Sequence, residues 1–250
     1  MIPDDAPAAM APATGGAFAT TLWSTVLVAG QDENPTQARA ALEKLCGTYW
    51  RPLYSYLRRQ GKSAHDAEDL TQGFFAHAFE KNYFADYDAR KASFQTYLRT
   101  CLDGFVANER KAGQRLKRGG DIDHYQLDFA AAENELAAHA SASLSPEDYF
   151  HREWVRWMFT LAVDAFRQRC EESGRSLHFQ LFERYDLSDD DVSYASLAKD
   201  FKLEQATVNN YLAAARRDFR RLVLEKLREI TATDEEFRTE ARSLLGVNPQ

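Results

Sequence analysis

Apolar residues recur at three- and four-residue intervals along most of the chain. No stretch alternates apolar and polar positions between turn residues as a strand would, so the pattern predicts helices throughout. Leu22, Trp23, Val26 and Leu27 give a first helix, over 18–29, one packing face. A second, entered at Asn34-Pro35, carries Ala38, Ala41, Leu42, Leu45 and Tyr49. Pro52 is expected to kink or restart it before Leu53, Tyr54 and Leu57 continue the stripe to Gly61. Ser63 caps the next helix with Asp66 three residues on, a capping box with the shorter acid. Ala67, Leu70, Phe74 and Ala78 are its buried side, and Asp66, Asp69, Gln72 and Gly73 face the other way. The helix after Ser93 changes character halfway. Phe94, Tyr97, Leu98, Cys101, Leu102, Phe105 and Val106 form an apolar stripe; Arg110, Lys111, Arg115, Lys117 and Arg118 then gather against the single acid Glu109, before Gly119-Gly120 ends the run.

Residues 119–144 are acidic, rich in Ala and Ser and poor in strong core residues, and read as a flexible linker with a helical tendency around Ala130 to Ala138. A second domain begins at Ser145-Pro146-Glu147-Asp148, a cap followed by proline and acids in the first turn. Trp154, Trp157, Met158, Leu161, Ala162, Ala165 and Phe166 give it a wide apolar face, and Leu177, Leu181, Phe182 and Tyr185 a short helix. A short helix, a turn and a longer helix then place Leu197, Ala198, Phe201, Leu203, Val208 and Leu212 as the internal contacts of a helix-turn-helix. Phe237, Ala241, Leu244 and Leu245 predict one more amphipathic helix, which either packs back on the domain or binds a regulator. The expected architecture is all-α: an N-terminal tail over 1–17, a helical domain over 18–118, the linker over 119–144, a second helical domain over 145–230 and a helical tail over 231–250.

Charge sharpens this picture. The net charge of -7 is unevenly placed: residues 90–118 hold eight Lys/Arg against two acids, and residues 119–150 hold seven acids and no Lys or Arg. The overall acidity is therefore a poor guide to partners. Cys46, Cys101 and Cys170 lie far apart with no metal-ligand spacing, so neither a disulfide framework nor a zinc site is indicated, and no cofactor is implied. The first twenty residues lack a basic start, and no run is long enough to span a membrane; a cytoplasmic protein without a membrane partner is expected. His65, Asp66, Glu68 and Asp69 are too close in sequence to converge on one metal ion unaided, which makes a nuclease a remote reading.

DAEDLTQGFFAHAFEK, followed by SFQTYLRTCLDGFVANERKAGQRLKR, resembles the promoter -10 domain of extracytoplasmic-function (ECF) RNA polymerase sigma factors. The resemblance implies that Asp66, Glu68, Asp69 and Gln72 bind the clamp helices of the polymerase β′ subunit, although Gly73 stands where Glu is common. Between the two motifs, Tyr83, Phe84 and Tyr87 alternate with Lys81, Arg90 and Lys91, a composition suited to stacking unpaired bases and following phosphates. Phe84 is expected in the core and Tyr87 exposed, and in the resembled family this loop captures a flipped base during promoter melting. Arg90, Lys91, Asn108, Arg110, Lys111, Gln114, Arg115, Lys117 and Arg118 would hold the DNA beside it. The linker acids Asp121, Asp123, Asp128, Glu133 and Glu135 are placed either to follow the polymerase's RNA path or to contact the basic helix.

Ser193, Tyr194, Leu197, Ala198, Thr207, Val208, Leu212, Ala215 and Arg216 match the sigma pattern for the domain that reads the -35 element. Gln205, Thr207, Asn209 and Asn210 are its candidate readers, with Arg216, Arg217, Arg220 and Arg221 as a basic extension. Three departures are visible: Lys202 replaces the turn glycine, so a positive φ there is strained; Glu204 replaces the Ser cap; and Asn209, Tyr211 and Ala214 stand where the family often has basic residues. Tyr211 reads as core. The resemblance thus implies a non-enzymatic sigma factor that binds core polymerase, recognises promoter DNA and melts it, with an anti-sigma factor or other regulator as a further partner. The competing reading is a helix-turn-helix regulator that binds duplex DNA without polymerase.

Overall fold

A computed structural model describes residues 35–81, 83–112, 127–138 and 144–246. The helix expected over 18–29, and Asp121, Asp123, Gln114, Arg115, Lys117 and Arg118, lie outside the described residues, where every regular element is helical. In chain order these are α1 (Pro35–Arg59), α2 (Ala64–Glu80), a single 3-10 turn (Tyr83–Asp86) and α3 (Phe94–Ala112). There follow α4 (Phe129–Ala138), α5 (Pro146–Glu172), α6 (Ser176–Phe182) with a wider turn over Glu183–Leu187, α7 (Tyr194–Asp200), α8 (Gln205–Ile230) and α9 (Asp234–Leu245).

Local cap chemistry sets most helix starts. Ser63 Oγ accepts the Asp66 amide at 3.1 Å and donates to the Asp66 carboxylate at 2.7 Å. Ser145 serves Asp148 in the same way, with Pro146 at the start of α5. Ser193 and Ser196 cap α7 reciprocally. The α8 start is the exception: Glu204 makes no side-chain cap, and Lys202 in the turn before it sits at φ 53°, the strained left-handed conformation its sequence position foretold.

Pro52 does not restart α1, which runs unbroken to Arg59. The turn after the proline carries Leu53, Tyr54 and Leu57, all buried, and that burial offsets the lost backbone hydrogen bond and ring clash.

α5 is the shared wall of the molecule. Phe150, Trp154 and Met158 pack with Leu45, Leu53 and Leu57 of α1, while its later turns place Phe166 and Cys170 against Phe179, Phe182, Ala215 and Leu222. The cluster built on α1, α2 and α3 also takes in Leu227 and Ile230 from the end of α8 and Ala241 from α9. Polar contacts cross the same boundary: Trp157 Nε1 donates to the Gly47 carbonyl at 3.0 Å, Lys44 pairs with Glu229 at 2.7 Å, and Arg99 pairs with Glu147 at 3.1 Å. One continuous core therefore joins the segments that read as separate domains.

Residues 127–138 are not slack chain. α4 lies along α1, with the Phe129 ring 5.1 Å from Trp50 and 5.0 Å from Tyr54. Ala132 is buried beneath it. Glu133 accepts from Arg58 Nε at 2.6 Å, Arg58 Nη2 at 2.9 Å and the Tyr54 hydroxyl at 2.7 Å; Glu135 pairs with Arg51 at 2.6 Å. Asp128 caps α4 by accepting the Ala131 amide. These acids are thus engaged within the helix or with α1.

Candidate functional site

The acidic side of α2 stands clear of the core that its other side builds. Ala67, Leu70, Thr71, Phe74 and Ala78 are buried, and Asp66 and Asp69 are exposed, with Glu68 and Gln72 half-buried between them. Thr71 is sealed inside, its hydroxyl donating to the Ala67 carbonyl at 2.7 Å. Gly73 lies over Phe105, and a Cβ there would meet the ring at 3.4 Å. His65 lies 3.5 Å from Asp69, but among the described residues no three His, Cys, Asp or Glu side chains gather as metal ligands.

The loop after α2 leads into the N-terminus of α3. Phe84 is buried, as its apolar surroundings require. Tyr87 is not open to solvent as expected: its ring packs edge-on against Phe94 at 5.2 Å, and its hydroxyl lies 2.9 Å from Glu236 Oε1 and 3.0 Å from the Ala92 carbonyl oxygen. Burial, then the Glu236 charge, hold its phenol protonated well above the ordinary range. Arg90 is exposed and bonded to Asp88 at 2.9 and 2.8 Å, which with the Arg90 amide draws the Asp88 carboxyl down to about 2. Lys91, Asn108 and Arg110 are exposed, and the Lys111 backbone continues α3. Glu236 and Glu240 were invisible as partners of this loop in the sequence. Thr233 and Glu236 have capping spacing, which points to a local role only, and Thr233 does accept the Glu236 amide.

On the other side of the molecule, α7, a four-residue turn and the start of α8 close over Leu181, Leu197, Val208 and Leu212. Gln205, Asn209 and Asn210 are exposed on α8, with Thr207 half-buried. Tyr211 stacks on His178 with ring centroids 4.2 Å apart, in keeping with its reading as a packing residue. The basic extension divides. Arg216 is held by Asp186 at 2.8 Å and by the Tyr194 hydroxyl at 3.1 Å, and Arg221 pairs with Asp218 at 3.1 Å. Arg217 and Arg220 are exposed and make no ion pair among the described residues.

The family model for sigma-70 region 2 matches residues 45–116. These 72 of the 250 residues are similar to region 2 of the sigma-70 family. Comparisons with curated proteins and with solved structures return no significant match. The region 2 match runs from Leu45 in α1 through α2, the Tyr87 loop and all of α3, so the acidic face, the aromatic loop and the basic helix belong to one sigma region. The match supports a sigma-factor role in RNA polymerase binding and promoter recognition for that part of the chain. No helix among the described residues is long and apolar enough to cross a membrane.

Proposed function

We propose that this chain is a sigma factor of the ECF type and acts by binding, without catalysis of its own, to recruit core polymerase and open promoter DNA. The observation that carries the reading is the juxtaposition inside the matched region: a rigid helix with an exposed acidic face, an aromatic loop and a helix that turns basic. Asp66, Glu68, Asp69 and Gln72 on α2 face the clamp helices of the β′ subunit. Tyr87, Arg90 and Lys91 meet the melted -10 strand, where aromatic rings exchange for base stacking and cations follow phosphates. Asn108, Arg110, Lys111, Gln114, Arg115, Lys117 and Arg118 grip the adjoining backbone.

The α7–α8 pair serves as a helix-turn-helix for the -35 element. Gln205, Thr207, Asn209 and Asn210 reach base edges, and Arg217 and Arg220 reach phosphates. Arg216 and Arg221 hold the frame, since their guanidinium groups are already paired.

Asp69→Arg is the decisive variant, because Asp69 is exposed and reversing its charge leaves the core untouched. Fluorescence anisotropy with labelled chain and core polymerase should show at least a tenfold loss of affinity, since like-charge juxtaposition at an interface costs several kcal/mol. Unchanged affinity would remove the basis of the reading. Tight, specific duplex binding by a chain that ignores core would establish the polymerase-independent regulator instead.

A further inference from the structure

The last helix reaches across the molecule to the reading loop of region 2. α9 follows α8 after Thr231–Thr233 and lays Phe237, Ala241 and Leu244 on the shared core. Its first turn places Glu236 at the N-terminus of α3. Glu236 Oε1 accepts the Phe94 amide at 2.8 Å and lies 2.9 Å from the Tyr87 hydroxyl; Oε2 accepts the Ala232 amide at 2.8 Å. One turn on, Glu240 accepts from Gln95 Nε2 at 3.0 Å. A single carboxylate thus ties together the aromatic loop, the positive end of α3 and the segment from which α9 swings.

The chemistry of that position is telling. A helix N-terminus with a free amide favours an anion, and a nucleic-acid strand would bring its phosphates to the same cations and ring. Here the anion is supplied from within the chain, 142 residues away in sequence. The Tyr87 hydroxyl, which an unpaired base would have to approach, is directed at that carboxylate.

We propose that α9 is a lid: in the free protein Glu236 and Glu240 close the Tyr87 loop and the start of α3, and single-stranded nucleic acid gains the loop only when α9 lifts. This rests on the loop being the strand-binding site proposed above. Lifting exchanges a carboxylate for a phosphate at α3 and turns the Tyr87 ring loose from Glu236. It exposes Phe237 and Leu244, so the lid is held by apolar contact as well as charge.

The test uses the full chain and a fluorescein-labelled, mixed-sequence 20-nucleotide single-stranded DNA, with and without core polymerase. Glu236→Gln keeps the shape of the side chain and removes its charge. It should raise the affinity of the free chain for the oligonucleotide by about five- to thirtyfold, the factor that corresponds to about 1–2 kcal/mol. Hydrogen exchange at the Phe94 amide should accelerate by a similar factor. Tyr87→Ala in the same background should abolish the gain in affinity. Faster exchange at Phe94 with unchanged oligonucleotide affinity, in a chain that still binds core through Asp69, overturns the lid and leaves the sigma reading standing. Absence of oligonucleotide binding by both chains even with core overturns the loop assignment and the lid with it. Should Glu236→Gln fold poorly, Glu236→Asp, which keeps the charge but shortens the reach, carries the same expectation.

Discussion

Glu133→Gln tests whether the acidic segment between the two halves is a docked helix or a tether. Three donors converge on the Glu133 carboxylate, two from Arg58 and one from Tyr54. Charge-assisted hydrogen bonds are worth about 1.5–3 kcal/mol, but Arg58 and Glu133 each keep about a third of their side chain in water, which screens the pair. Glutamine retains one acceptor and turns an amide donor toward the guanidinium, so the net loss should be about 1–2 kcal/mol. The loss falls on the docking of α4 alone, because α1 keeps its own core. Hydrogen exchange should therefore show the α4 amides exchanging about five- to thirtyfold faster, with those of Leu53 and Leu57 unchanged. Acid should do the same to the native chain. The Arg58 hydrogen bonds hold the Glu133 carboxyl below its ordinary range. Its contribution is thus fully present above the unfolded-state value, about 4.3, and is lost as pH falls through the lower folded value. An α4 whose exchange ignores both Glu133→Gln and acidification to pH 3 would show that the pair does not hold it.

Two further outcomes follow from the packing. Leu227→Ala removes a fully buried side chain near the end of α8 from a core built mainly by α1 to α3. It should cost about 2–5 kcal/mol and raise exchange in α1 as much as in α8; protection in α1 left at its native level would mean two independent cores. Lys202→Gly relieves a left-handed φ of 53° and should raise Tm by about 2–4 °C, the shift for about 1 kcal/mol in a chain of this size, whereas a fall in Tm in a thermal melt would refute strain at the turn.

What the sequence showed and what it hid divide along the range of the interactions. The caps at Ser63 and Ser145 involve residues three apart, and spacing alone reveals them. The strain at Lys202 was legible through the resemblance, because the lysine stands where the family's turn has glycine. The restart allowed at Pro52 does not occur, because its penalty is local and its compensation, the burial of Leu53, Tyr54 and Leu57, is not. Composition made residues 127–138 look like a linker, since Glu133 and Glu135 read as solvated charge until Arg58 and Arg51 are brought beside them. Tyr87 was expected in solvent because Asp86 and Asp88 flank it. The groups that cover it come from the far end of the chain, and no periodicity within the loop could announce Glu236. In region 2 the acidic face of α2 was visible from helix periodicity, which places Asp66 and Asp69 opposite Ala67, Leu70 and Phe74.

The wall that α5 shares with α1 and α8 also limits length. Asn209, proposed above as a reader of DNA, sits about 32 Å along α8 from Ile230, counting twenty-one rises of 1.5 Å, and Ile230 lies in the same core as α1 and α3. Promoter elements named for positions ten and thirty-five are roughly 85 Å apart along straight duplex at 3.4 Å per step. Were both elements read by one chain, as proposed above, the contacts of α5 and the end of α8 with α1 are the ones that would govern how far apart its two reading surfaces stand.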